Sequence, residues 1–133
     1  KTTIISSLGS SKFHLDRIQN LWNSLNSNVI ELDYESHDKL FSLTSHLPHF
    51  VAYSLMKVIY DNSVDVNTYA GGGLKEFIRL SQSSPEMWGD IFHSNANLNK
   101  HIDELVEKLI ELKELSSSKD DSALKEYLNQ FKQ

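Results

Sequence analysis

The fold is decided by residues 50–60, whose sequence is Phe50-Val51-Ala52-Tyr53-Ser54-Leu55-Met56-Lys57-Val58-Ile59-Tyr60. The pattern predicts a helix that is apolar on nearly every side. A surface helix normally keeps one polar face, so a helix of this kind belongs at the centre of a bundle or across a subunit interface. The segment therefore predicts a mainly α protein arranged around it.

Helical patterns flank that segment. Asp33 is expected to cap a helix running to about Ser45, and the chain is expected to bend or restart near Leu47 because Pro48 suits a first helical turn. Farther on, the patterns predict a loop over 61–70, a helix over about 74–81 and a helix capped by Ser84. The next helix carries apolar residues at i, i+3, i+4, i+7 and i+8, namely Ile102, Leu105, Val106, Leu109 and Ile110. A final helix, with Ser118 and Asp121 as its capping box, is expected to bury Leu124, Tyr127, Leu128 and Phe131.

The first 33 residues follow a different pattern. Residues 2–6 and 28–32 are strand-like, and 12–26 predict an amphipathic helix with Trp22 in the core. A β-α-β order of this length suits the end of an α/β domain but is too small to be one. We therefore expect two parts: 1–33, a remnant of a Rossmann-type nucleotide-binding domain, and 34–133, an all-helical domain. Because the chain starts at Lys1, we expect it to be a fragment of a longer protein.

Composition limits the function classes. A net charge of −5 over 133 residues, without a Lys/Arg-rich run, argues against a nucleic-acid partner. The absence of cysteine excludes disulfides and thiolate chemistry. No apolar run is long enough for a membrane span, and no signal-peptide pattern is present. We expect a cytoplasmic protein without a membrane partner.

Two features suggest anion binding. Gly71-Gly72-Gly73 precedes a predicted helix, where glycines either relieve a tight turn or let backbone N–H groups approach an anion. Arg79, one of two arginines in the chain, lies among apolar neighbours on that helix. Its guanidinium is either salt-bridged within the fold or able to bind a carboxylate bidentately.

Histidines and a tryptophan supply further candidates. His46 and His49 are three residues apart, close enough to share a helix face. They are packing or capping residues, hydrogen-bond partners of a substrate, or two ligands of a metal site. No spacing matches a known zinc pattern, so no metal is expected. Trp88, just inside the helix that begins at Pro85, is a core residue by its spacing.

Three motifs in one order carry a family resemblance: Ser45-His46-Leu47-Pro48-His49, then Gly71-Gly72-Gly73 with Arg79, then Ser84-Pro85-Glu86-Met87-Trp88. Over about residues 30–115 the chain closely resembles the C-terminal helical domain of the prephenate/arogenate dehydrogenase family. The resemblance implies a homodimer formed through the helical domain, with residues 50–60 in the dimer core. It also implies a role in tyrosine biosynthesis, with prephenate or arogenate as substrate and NAD or NADP as cofactor.

The implied reaction is oxidative decarboxylation of prephenate to 4-hydroxyphenylpyruvate. In that family the catalytic histidine and the nucleotide-binding glycines belong to an N-terminal domain. The resemblance therefore implies no catalytic residue and no bound cofactor in this fragment, which should be inactive alone.

The resemblance also assigns site residues by position. It implies that Arg79 binds the ring carboxylate, that His46 lines the pocket, and that Gly72 and Trp88 lie near the side-chain carboxylate. Glu76 stands at a position linked to pocket gating, and His49 is a secondary residue of the same pocket.

Two other functions remain open on the sequence. A non-catalytic helical dimerisation module would keep the interface and lack a working pocket, and it differs from the dehydrogenase in whether Arg79 is free to bind an anion. A histidine-based metal bundle would require metal in the purified protein.

Overall fold

The computed structural model describes residues 1–132, in which helices dominate. In chain order the elements are β1 (Thr2–Ile5), α1 (Lys12–Ser24), β2 (Asn28–Glu31), α2 (Tyr34–Phe41), a π-helical segment (Ser42–His46), α3 (Leu47–Asp61), α4 (Val66–Tyr69), α5 (Gly72–Ser81), α6 (Pro85–Ser94), α7 (Asn97–Ser118) and α8 (Asp121–Asn129). The predicted fold class, a helical bundle preceded by a short β-α-β unit, is confirmed.

The β-α-β unit is a two-stranded parallel sheet with one crossover helix. Thr2 of β1 pairs with Asn28 of β2, and the register runs to Ile5 opposite Glu31. Helix α1 packs against β2. The apolar face of α1 nevertheless stays largely in solvent, through Phe13, Ile18, Leu21, Trp22 and Leu25. Trp22 is 40% exposed, so its predicted place in the core is wrong for this chain, because two strands are too narrow to cover the helix.

From Tyr34 to Asp61 the backbone is helical without a break. The predicted restart near Leu47 is not observed, since Ser42, His46 and Leu47 all keep right-handed helical angles. The chain instead widens into the π segment, where the Leu47 N–H donates to the Ser42 carbonyl. A proline inside an α-helix clashes with the carbonyl four residues earlier. The wider turn that ends just before Pro48 gives that ring room.

Helix α3 lies at the centre of the helical part, as its sequence predicts. Helix α5 and helix α7 pack on it, and α6 contacts it through Phe92, whose ring centroid is 5.5 Å from that of Phe50. Ala52 is fully buried. Val58 and Tyr60 remain exposed, so one side of this apolar helix has no partner within the described chain.

In the part of the chain that the structure describes, side chains cap four helix starts. Asp33 accepts the Ser36 N–H at 2.8 Å, as predicted, and Ser84 caps α6 by accepting the Met87 N–H. Two other predictions are corrected. Asp65 caps the short helix α4 inside the predicted loop. Asp120, rather than Ser118, caps α8, because Lys119 adopts a left-handed conformation and ends α7 there.

The last helix is less buried than its pattern predicts. Leu124 and Tyr127 are half-buried, whereas Leu128 and Phe131 are exposed. Helix α8 contacts mainly α7, and a single neighbouring helix covers only part of an apolar face.

The hydrophobic core is small for a chain of this length. Among residues 1–132 the buried hydrophobic side chains are Ala52, Trp88 and Leu98. Most other apolar residues are half-buried or exposed, so much of the chain's apolar surface still faces water. In the described part of the chain, no helix combines the length and apolarity needed to cross a membrane.

Candidate functional site

His46 is the last residue of the π segment and contacts residues from two other elements. Its Nδ1 lies 3.1 Å from Nδ2 of Asn95, the residue that follows α6. Its ring meets that of Trp88 edge-on, with centroids 6.1 Å apart. The π segment thus directs His46 towards α6.

The orientation of the Asn95 amide is set by two backbone groups. Its Nδ2 donates to the Asp38 carbonyl at 2.8 Å. Its Oδ1 accepts the Asn97 N–H at 3.0 Å. A carbonyl only accepts and an N–H only donates, so the amide nitrogen and oxygen cannot be exchanged. Asn95 is 5% exposed.

These contacts determine which ring nitrogen of His46 carries the proton. Because the Asn95 NH₂ group can only donate, His46 Nδ1 must accept, and in the neutral ring the proton is on Nε2. Burial lowers the pKa of His46, and the nearby His37 and His49 lower it further, while Asp38 opposes them. His46 is therefore a neutral donor at Nε2.

His49, one turn further along, packs flat against Trp88. The ring centroids are 3.7 Å apart and the planes 20° from parallel. Its Nδ1 donates to the Ser45 carbonyl at 2.9 Å. Both histidines contact the indole, but Nδ1 is protonated in His49 and unprotonated in His46.

Trp88 is 5% exposed, so the expectation that it is a core residue is confirmed. Its ring stacks on that of His49 and also contacts that of Phe92, whose centroid is 5.5 Å away. Its Nε1 is buried and has no acceptor within residues 1–132. A buried N–H without an acceptor is costly, so an acceptor from outside the described chain would be favoured here if the side chains covering Nε1 moved aside.

Arg79 is not buried, although its apolar neighbours in sequence suggest burial. Its side chain is 68% exposed and its Nε donates to Glu76 Oε2 at 2.9 Å. The apolar face of α5, with Phe77 and Ile78 half-buried, turns Arg79 to the opposite side. In the described chain the arginine is paired with Glu76, and that pair lies in solvent.

The glycines do not form a tight turn. Gly71 is the N-cap of α5 and Gly72 its first residue, and neither has a positive φ. An added Cβ at Gly71, Gly72 or Gly73 would meet no atom within 4 Å. Neither backbone strain nor packing within the chain requires these glycines. They leave the uncapped N–H groups of the first turn of α5 open to a close approach from outside.

The structure thus divides the predicted site residues into two groups. His46, His49 and Trp88 form one aromatic cluster, with Asn95 behind it. Gly72, Glu76 and Arg79 lie on α5, which packs on α3. Among residues 1–132, no hydrogen bond, ion pair or aromatic contact joins the α5 group to the aromatic cluster. No group of three or more potential metal ligands occurs in residues 1–132.

Sequence reasoning missed Asn95. The residue is 49 positions from His46, and Ser94-Asn95-Ala96-Asn97 has the composition of an ordinary turn between helices. Only the meeting of α2, the π segment and the α6–α7 turn reveals its role.

Comparisons with known proteins agree with the fold. Residues 33–130 match the family model described as "Prephenate dehydrogenase, dimerization domain". Over 92% of its length the chain is 28% identical to prephenate dehydrogenase of Bacillus subtilis, and over 85% it is 29% identical to cyclohexadienyl dehydrogenase of Zymomonas mobilis. The chain spans 34% and 40% of those two proteins.

Solved structures give the same result. Prephenate dehydrogenase from A. aeolicus, in complex with hydroxyphenyl propionate and NAD⁺, matches 97% of this chain and 47% of its own, with 34% identity and a TM-score of 0.85. Arogenate dehydrogenase from Synechocystis matches with a TM-score of 0.80 and 19% identity, which indicates the fold alone.

Proposed function

Because the chain belongs to the prephenate dehydrogenase dimerization-domain family, we propose that it supplies dimerisation and substrate binding in an NAD(P)-dependent prephenate or arogenate dehydrogenase. The whole enzyme would oxidise and decarboxylate prephenate to 4-hydroxyphenylpyruvate in tyrosine biosynthesis. We also propose that residues 1–33 belong to the nucleotide-binding domain and 34–133 to the helical domain. A cytoplasmic location stays a prediction.

The cofactor does not fit a site within this chain. A dinucleotide site needs a glycine-rich turn between strand and helix, but the turn from β1 to α1 contains one glycine, Gly9. NAD or NADP would therefore be held by residues outside the chain. We accordingly propose that the 133 residues alone do not turn over substrate.

The observation that carries the substrate-binding proposal is the buried Trp88 Nε1–H without an acceptor. His46 Nε2–H is a second donor in the same aromatic cluster. Arg79 and the uncapped start of α5 add a cation and backbone donors on a helix that packs against α3, the helix of His49. Such a set of donors suits a substrate with two carboxylates, since anions leaving water require paired cations and donors.

Glu76 does not prevent Arg79 from binding a carboxylate. The Arg79–Glu76 pair is exposed on both sides, and exposed pairs contribute only about 0.2–1 kcal/mol. A substrate carboxylate that is held at the same time by other donors can displace or share the guanidinium. Glu76 would then adjust access to the site.

Dimerisation is supported by an apolar groove between α3 and α7. Apart from Ser54, the residues that line it are apolar and come from both helices: Phe50, Val51, Leu55, Val58, Ile102, Leu105, Val106 and Leu109. Val58, Val106 and Leu109 are exposed in the single chain. A second copy of the chain covering this groove would remove those side chains from water. Burial of apolar surface is the main favourable contribution to the free energy of association.

The proposal is tested by steady-state kinetics of the full-length protein with prephenate and with arogenate. Arg79→Gln should lower kcat/KM about 10- to 100-fold, because hydrogen bonds to charged groups contribute about 1.5–3 kcal/mol. Lys125→Gln is the matched control, since Lys125 also forms an exposed helical ion pair, with Asp121. Its kinetics should stay close to those of the unmodified enzyme.

Three outcomes would contradict the proposal. A full-length protein that oxidises neither compound is not this dehydrogenase. If Arg79→Gln behaves like Lys125→Gln in an active enzyme, Arg79 is a surface residue. If the protein dimerises without turnover, the non-catalytic dimerisation module is the better description.

A further inference from the structure

We propose that Asn95 is a positioning residue for His46: it keeps the His46 proton on Nε2, so that the imidazole meets a bound substrate only as a hydrogen-bond donor. The role in binding rests on the proposed function, whereas the effect on the proton does not. Asn95 itself is not placed in contact with substrate.

The amide is held rigidly enough for this role. Asn95 is buried, and its Nδ2 uses both hydrogens, one on the Asp38 carbonyl at 2.8 Å and one on His46 Nδ1 at 3.1 Å. Its Oδ1 accepts from the Asn97 backbone N–H at 3.0 Å and from the Asn97 side chain at 3.3 Å. Rotating the amide by half a turn would place oxygen against oxygen at Asp38 and nitrogen against N–H at Asn97.

Protonation of His46 at Nδ1 would place its new hydrogen against a hydrogen of the Asn95 Nδ2 group. The cation would therefore lose the bond to Asn95 as well as its hydration. The charged or titratable groups that face His46 are Asp38 on α2, which favours the cation, and His37 and His49, which oppose it. Asn95 thus determines which nitrogen carries the proton and also disfavours the doubly protonated ring.

This arrangement selects the chemistry of the ligand group at His46. A neutral Nε2–H donates to a carboxylate, carbonyl or hydroxyl oxygen and rejects a group that can only donate. The neutral ring already carries the Nε2 proton, so it donates from Nε2 at neutral pH. A neutral histidine protonated on Nδ1 could donate from Nε2 only after it became a cation. The substrate group that meets His46 is therefore an acceptor.

The first test is the tautomer itself, read from nitrogen chemical shifts of the full-length protein labelled with ¹⁵N-histidine. The unmodified protein should show His46 with a bare Nδ1 and a protonated Nε2, and His46→Gln identifies its signals. Asn95→Asp should move the proton to Nδ1, because a carboxylate accepts there. Asn95→Ala should remove the preference, and Asn97→Ala, which leaves the Asn95–His46 bond intact, should keep it.

A protonated Nδ1 in the unmodified protein would overturn the proposal, whether or not the variants fold. An unchanged tautomer in both Asn95→Asp and Asn95→Ala would also overturn it. Because these spectra need no substrate, their result is independent of the proposed dehydrogenase activity.

The second test is kinetic and concerns the role in binding. Asn95→Asp should raise KM at least about tenfold, with kcat changed much less, because the donor to the substrate is lost while the cofactor side is untouched. An unchanged KM alongside a switched tautomer would overturn the role in binding. An inactive unmodified enzyme with the expected tautomer would refute the proposed function alone.

Discussion

At the scale of single residues, the three histidines around the π segment show how local partners assign protons. His46 Nδ1 accepts from Asn95, whereas His49 Nδ1 donates to the Ser45 carbonyl. His101 Nδ1 is 2.7 Å from Ser42 Oγ, whose hydrogen goes to the Lys39 carbonyl, so His101 must donate. Residue type alone predicts none of these states, because each depends on which atom the fold places opposite the ring.

The lowered pKa of His46 predicts a stability that depends on pH. In the unfolded chain the pKa returns to the ordinary value of about 6.5, so at low pH the unfolded state binds more protons. The stabilisation is present above the unfolded pKa and is lost as pH falls through the folded one. The urea midpoint should therefore drop between about pH 7.5 and pH 5, and drop less in His46→Gln.

His93→Gln is the control for that measurement, since His93 is exposed on α6. Its midpoint should fall with pH as steeply as that of the unmodified protein. Equal pH slopes in His46→Gln and His93→Gln would show that burial of His46 has no energetic consequence.

At the scale of helices, the apolar residues at 50–60 correctly predicted a central helix, but not which of its sides is covered. Tyr53 is half-buried and its hydroxyl donates to the Ser83 carbonyl at 2.9 Å, which ties α3 to the turn before α6. Val58 lines the α3–α7 groove and is exposed. Changing Tyr53 would disturb the fold as well as an interface, so Val58 is the cleaner probe.

We expect Val58→Glu to dissociate the dimer at micromolar concentration, because a carboxylate in an apolar interface must be desolvated without a partner. Light scattering should then give the mass of one chain. The control variant Lys57→Glu introduces a glutamate at the adjacent position, which is exposed and outside the groove. It should leave the dimer intact. A Val58→Glu variant that remains a dimer would locate the interface elsewhere.

At the scale of the whole molecule, the chain has two parts with few shared contacts. β1 and α1 pack chiefly on β2, whereas the helices from α2 onward pack on one another. Asp33, the N-cap of α2, lies at the junction. This organisation agrees with the predicted division at residue 33, which stays a prediction until the parts are separated.

Removing residues 1–32 should leave the helical part folded, with a midpoint lowered by less than about 5 °C, equivalent to roughly 1 kcal/mol. Removing residues 1–33 also deletes the Asp33 cap and should cost about 1 kcal/mol more. Circular dichroism and thermal unfolding of both truncations measure this difference. A shorter chain that loses its helical signal would show that the β-α-β unit supports the bundle.

The fold class, most helix limits, and the caps at Asp33 and Ser84 follow from the sequence, because they depend on residues within one or two turns of each other. The exposure of Arg79 does not, because the apolar residues of α5 can face α3 in only one rotation, and that rotation leaves the arginine outside, beside Glu76 three residues earlier. Only the tertiary structure decides three further features: the nitrogen that carries the His46 proton, the lack of an acceptor for Trp88 Nε1–H, and the contact of Asn95 with His46. Each depends on atoms many residues apart, and hydrogen bonding is directional and short-ranged, so only packing brings those atoms together.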